Sequence, residues 1–192
     1  MNGITSLLDL SSNPIQPFSS YIIDILLIIL PKLRYVNFSN RCVTTYPILG
    51  QFLDNCPPLE IVTSNNSGSH TYLSGLAMKT SNNLKEIHMD NSNFIILWNK
   101  DRFANLNKHQ DVFIFHECCK ALEHVSIRYM NWNFSLGHNF NNDEDRKLIL
   151  IQNILIKFVR NAPPTLHWFR SDLTLDNMTM LRMERPGIEL LN

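Results

Sequence analysis

Two groups of side chains in this sequence have the types that chemistry requires. His116-Glu117-Cys118-Cys119, with His109 close by, gathers nitrogen and sulfur donors. A zinc site takes four ligands, usually as pairs at recurring separations such as C-x₂₋₄-C. No second pair follows here, so neither a metal nor any other cofactor is expected. The vicinal thiols Cys118 and Cys119 would be redox-active only as exposed thiolates, and an inert pair is the expectation. The second group is Glu86, His88 and His124, a carboxylate and two imidazoles that acid–base work could use. They would meet if their segments were adjacent strands, about 4.8 Å apart. A polar binding surface is the simpler reading of them. G-x-S-x-G, a phosphate loop and a dinucleotide fingerprint do not occur, and Asn66-Ser-Gly-Ser-His70 is merely turn-like. No catalytic residue is expected.

The elements that would position these side chains show internal repetition. Phe52-Leu-Asp-Asn-Cys-Pro-Pro-Leu59 recurs as Phe158-Val-Arg-Asn-Ala-Pro-Pro-Thr-Leu166. Each leads into a run of the form Leu-x-x-Φ-x-Φ, with Φ usually apolar. The copies start at Leu33, Leu59, Leu84, Leu122 and Leu166, separated by 26, 25, 38 and 44 residues. Frayed copies flank them at Leu8-x-Leu10 and Ile188-x-Leu190. The longer separations imply insertions near 91–111 and 131–147. Asn91 to Gln110 reads as a loop or an extra strand, and Asn131 to Asp145 as a polar, mobile loop. Helices are predicted over Pro17–Leu30, Tyr46–Asn55, Val112–Lys120, Asp143–Asn161 and Leu175–Met183. On the fourth of these, Leu148, Ile151, Leu155 and Phe158 form one apolar face.

A short strand with one buried face plus a helix cannot bury either apolar face alone, but stacked copies can. The pattern resembles a leucine-rich repeat protein, closest to the cysteine-containing, F-box-associated and ribonuclease-inhibitor-like kinds. Cys56 and Cys119, each three positions before a leading Leu, match a feature of those families. The stretch from Ser171 to Leu191 is similar to the closing repeat of such arrays. The Asn that these repeats usually carry after the strand is replaced by Arg41, Ser67, Ser92, Met130 and Thr174. The resemblance implies one α/β domain over 1–192, a leucine-rich-repeat solenoid or horseshoe of about six irregular repeats. Its parallel sheet would line the concave side and its helices the convex side. It also implies non-catalytic protein–protein recognition, one form being the substrate-binding portion of an F-box-type adaptor. The alternative is a regulatory module acting on an enzyme in trans, such as a small-GTPase activator.

Composition narrows the partners. The 192 residues are 44% hydrophobic, with 17 basic and 17 acidic residues. A neutral chain lacks the cationic surplus that nucleic acid or anionic lipid demands, so protein partners are expected. Tyr21 to Leu30, broken by Asp24 and closed by Pro31, is far short of the ~18–20 residues of a membrane span. Four sparse cysteines without a leader-like N-terminus suggest a reducing compartment, cytoplasmic or nuclear. The first predicted helix is apolar nearly all round, so it is expected to be covered by preceding repeats or by self-association.

Strand alternation turns every second residue toward the binding face. The predicted central row is Asp9, Asn37, Thr63, His88, Ser126, Arg170 and Glu189. Before it run Leu7, Tyr35, Ile61, Glu86, His124 and Trp168, and after it Ser11, Ser39, Asn65, Asp90, Arg128 and Asp172. Tyr35, Asn37, His88, His124, Ser126, Arg128, Trp168, Arg170 and Asp172 are the expected partner-binding residues, with Trp168 as aromatic anchor.

Overall fold

Every leading Leu of the repeated motif is at most 2% exposed, and every Φ position is at most 3% exposed. Burying one such side chain stabilises the fold by about 1.5–3 kcal/mol, so the motif itself is the core. The computed structural model describes residues 7–9, 11, 32–40, 56–67, 70–71, 83–97, 120–135 and 144–192. The predicted helices over Pro17–Leu30 and Tyr46–Asn55, and all of Val112–Lys120 but its last residue, lie outside these residues. So does the His109/His116/Cys118/Cys119 cluster.

The fold is α/β. Among the described residues a seven-stranded sheet is built from β1 (Leu7–Asp9), β2 (Tyr35–Asn37), β3 (Ile61–Thr63), β5 (Glu86–His88), β7 (His124–Ile127), β9 (Trp168–Ser171) and β10 (Glu189–Leu191), in that spatial order. All its pairings are parallel. Seven strands stand where six were expected, because both frayed flanking copies pair.

The strands β2, β3, β5 and β7 leave through the same turn. Asn40, Asn66 and Asn91 adopt positive φ of 61°, 52° and 55°, a conformation that Asn tolerates better than most residues. Their N–H groups donate to the carbonyls of Asn65, Asp90 and Arg128 in the next unit, at 2.8–2.9 Å. Buried serines fill the place of the missing Asn. Ser92 Oγ donates to the Ser64 carbonyl at 2.7 Å and accepts the Ser67 N–H at 3.3 Å. In the fourth turn the same position falls to Tyr129, at φ 56°. A bulky side chain there costs about 1–2 kcal/mol. Tyr129→Asn is therefore expected to raise stability by about 1 kcal/mol, read as the urea midpoint. A lower midpoint would show that the stacking of Arg128 on the Tyr129 ring, 4.4 Å from its centroid, outweighs the strain.

Both predicted insertions open on a strand, the first as the extra strand that was one of its two readings, and a third strand outside either insertion joins them. β4 (His70–Thr71), β6 (Asn93–Leu97) and β8 (Asn131–Ser135) form a second, parallel three-stranded sheet. Asn131 Nδ2 donates to Asn93 Oδ1 at 2.7 Å across it. The stretch 131–135 is thus a strand, not the loop expected from its asparagines.

The last two units are bound together by α1 (Glu144–Asn161) and α2 (Leu175–Glu184). The helix α1 begins with acidic Glu144 and Asp145, as its dipole favours, and ends before Pro163. It buries Leu155, Phe158 and Val159, but Leu148, expected on that face, is 52% exposed. The first two turns of α1 overhang the core, and its packing starts at Ile151. Gln152, 7% exposed, donates to the Asp172 carbonyl at 2.9 Å. Its Oε1 accepts from the Thr174 N–H and from Asn177 Nδ2 at 2.9 and 2.8 Å. The Arg185 guanidinium donates to the carbonyls of Val159, Arg160 and Ala162 at 3.1, 2.9 and 3.3 Å. Arg160 forks onto Glu184 with two contacts of 2.7 Å, which holds that carboxyl below the usual glutamate range.

At the β10 edge, the Glu189 N–H donates to the His167 carbonyl at 2.8 Å. Alternation then turns the peptide groups of Leu190 away from β9, where Arg182 Nη2 donates to the Leu190 carbonyl at 2.9 Å.

Candidate functional site

The face of the large sheet opposite the core carries two in-register rows. Leu7, Tyr35, Ile61, Glu86, His124, Trp168 and Glu189 form the first. Asp9, Asn37, Thr63, His88, Ser126, Arg170 and Leu191 form the second. Glu189 was expected in the second row. The register places it beside Trp168, because the motif frame of the final copy is shifted by two residues. A two-residue slip preserves the face, so its side chain still points the same way.

Glu86, His88 and His124 do meet. Glu86 Oε2 is 3.3 Å from His88 Nε2, and Glu86 Oε1 is 3.4 Å from His124 Nδ1. The first contact is a hydrogen bond. The second is an approach only, and His124 Nδ1 is buried without a hydrogen-bond partner. His167 stands edge-on to His124, with ring centroids 4.4 Å apart. The half-buried Trp168 ring lies 6.0 Å from His124 and 6.5 Å from His88. Among the described residues no group of three or more His, Cys, Asp or Glu is placed to hold a metal ion.

Other predicted residues take structural roles. Ser126, expected on the surface, is 1% exposed, because its short side chain sinks between longer neighbours and donates to Asp90 Oδ1 at 2.7 Å. Asp90 Oδ1 also accepts the Arg128 N–H at 2.7 Å, and Arg170 Nη1 lies 3.6 Å from Asp90 Oδ2. Arg128 and Asp172 lie past the ends of β7 and β9, in the connections rather than on the strands. The Asp172 carboxylate accepts the N–H groups of Tyr129 and Met130 at 3.0 and 3.3 Å, so it ties one unit to the next. Asn37 Oδ1 accepts the Ser39 N–H at 3.0 Å. Tyr35 and Asn37 stand on β2, with β3, β5 and β7 between them and Trp168, about 19 Å away at the ordinary strand spacing.

The structure therefore brings His88, His124, Trp168 and Arg170 together and leaves Tyr35 and Asn37 apart. Glu86, Asp90, His167 and Glu189 complete the cluster and were absent from the expected binding set. The signal for Asp90 was present in the sequence, since an acid ahead of Asn91 marks a capping turn.

The Ser126 hydroxyl is donated to Asp90, and Cys56 is 0% exposed. Burial pushes the Cys56 thiol up to about 12. It is expected to resist alkylation in the folded chain and to react once urea unfolds it, as measured by intact mass. Between pH 9 and about 12 the unfolded chain loses a proton that the folded chain keeps, so this thiol lowers stability as the pH rises through that window. No family model matches the sequence, and no curated protein matches it. No helix among the described residues is long and apolar enough to cross a membrane.

Proposed function

We propose that the chain is a leucine-rich-repeat solenoid whose sheet face recognises a protein partner without catalysing a reaction. The observation that carries this reading is the division of labour within the motif. Its leading Leu and Φ positions are buried from unit to unit, while the residues between them form continuous in-register rows on the opposite face. Such rows can present a broad, preformed surface, and the positive-φ Asn turns keep successive units in the same relation.

Trp168 is the anchor of this surface, with His88, His124 and Glu86 around it. Tryptophan half-exposed among polar neighbours is the residue type that most often dominates a protein interface. The substrate-binding portion of an F-box-type adaptor is one setting for such a module. The GTPase-activator alternative would use Arg128 or Arg170, of which Arg170 lies 3.6 Å from Asp90.

The reading is tested by isolating partners from native extract on the immobilised chain. Trp168→Ala is expected to weaken capture of the bound protein by about 1–2 kcal/mol, with the melting temperature unchanged. Retention by that variant, with loss instead on replacing the exposed Leu148 and Ile149 of α1, would place the site on the helices.

A further inference from the structure

The two strand rows that face away from the core carry three carboxylates, Asp9, Glu86 and Glu189, against the single guanidinium of Arg170. Arg170 lies 3.6 Å from Asp90, so its charge is already offset. The whole chain has no formal net charge, and an excess of carboxylates on one face is therefore local. Two of the three, Glu86 and Glu189, flank the aromatic anchor, whereas Asp9 lies five strands from it. Register sets Glu86, His124, Trp168 and Glu189 side by side on four consecutive strands. At about 4.8 Å per strand, Glu189 is one spacing from Trp168 and Glu86 is two spacings away on the other side.

An indole face attracts cations through its quadrupole, and arginine is its most frequent partner. Carboxylates on both sides add to that attraction. The Glu86 side chain is 31% exposed and the Glu189 residue is exposed, so both can meet an incoming group. An anionic ligand would meet two carboxylates and a guanidinium that Asp90 already holds. An apolar ligand would strip water from the carboxylates without replacing it.

We infer that this face takes a basic protein segment, with a Lys or Arg side chain seated on Trp168 between Glu86 and Glu189. The inference rests on the protein-recognition reading and adds the partner's chemistry to it. Glu86 is held by His88 at one oxygen and stands 3.4 Å from His124 Nδ1 at the other, so its carboxylate is fixed between the two imidazoles rather than free to swing. Recognition of this kind is steered by charge and weakens as salt screens it.

The test uses the full chain labelled with fluorotryptophan, which places a fluorine reporter at each of its three tryptophans. The Trp168 signal is the one lost in Trp168→Phe. Short peptides alternating glycine with Arg, Lys, Gln or Glu are the probes. The Arg and Lys peptides are expected to shift the Trp168 resonance, with affinity falling as salt rises. The Glu86→Gln/Glu189→Gln double variant, whose fold is checked by circular dichroism, is expected to bind them about tenfold more weakly. The Gln and Glu peptides should leave the resonance in place. Binding of the Glu peptide, binding of the Gln peptide as tight as that of the Arg peptide, or no binding of basic peptides overturns the inference. Undiminished basic binding in the double variant overturns it too. Native-partner capture that depends on Trp168, combined with any of these results, leaves the recognition reading standing and removes only the basic specificity.

Discussion

Phe169→Ala should cost about 3–5 kcal/mol, the range for emptying the site of a large buried aromatic. The Phe169 ring is 0% exposed and lies 5.0 Å from the Phe158 ring, tilted by 35°. On its own sheet level it is flanked by Val125 and Leu190, so the cavity would open against β7, β10 and α1 together. A chain held up by contacts between neighbouring units cannot borrow stability from afar to close such a gap. Urea unfolding should show the loss as a lower midpoint, and amide exchange should show β9, β10 and α1 losing protection first. Leu122→Ala, at the same exposure, is expected to cost about 2–5 kcal/mol. A Phe169→Ala midpoint within about 1 kcal/mol of the parent would mean that the ring contributes far less than its burial implies.

Gln152→Leu should cost about 2–4 kcal/mol although it makes the core more apolar. Leucine matches glutamine closely in helix propensity and roughly in size, so α1 itself is not the loser. The loss falls on the connection between β9 and α2. The Asp172 carbonyl and the Thr174 N–H would both forfeit their partner, and Asn177 would lose its contact with the helix. Thr174 is the N-cap of α2, accepting the Asn177 N–H at its side chain, so the start of that helix should fray. Amide exchange at Asn177 and Met178 should accelerate beyond what the global change explains. Equal acceleration everywhere would show that Gln152 acts only through general packing.

The large sheet was legible because its signal is redundant. Leu-x-x-Φ-x-Φ states both the period and the face, and a repeated Pro-Pro entry marks where two of the strands begin. The bounds of α1 were readable from its acidic start and apolar face, and α2 was placed ahead of Pro186-Gly187, one residue short of its end at Glu184. The second sheet was legible only in part: an extra strand was one of two readings for 91–110, where β6 forms, but 131–135 was read as a loop although Asn131-Trp-Asn-Phe-Ser135 alternates as a strand does. Asparagine is depleted in strands generally, and that prior outweighed the alternation. In the structure Asn131 and Asn93 repay their poor propensity by bonding to each other across β6 and β8. At the site, alternation gave the direction of each side chain but not its depth. Ser126 points the right way and is nonetheless enclosed, because reach and not parity decides exposure in the middle of a sheet. Asp90 and Asp172 looked like surface charges, and the N–H groups that they satisfy belong to residues 38 and 43 positions away, too remote for local pattern to reveal.

The guanidinium of Arg182 on the Leu190 carbonyl bears on how the molecule behaves in a crowd. A sheet made only of parallel strands ends in a row of peptide groups able to template the next strand, and an open row of this kind seeds fibres. Here the central acceptor of that row is already filled from within the chain. An incoming strand would have to compete with an arginine for that acceptor, which makes growth at this edge less favourable without bulk to cover it. Neutral net charge removes the long-range repulsion that keeps many proteins apart. A single intramolecular latch at the sheet margin supplies, at short range, a share of the colloidal protection that the overall charge does not.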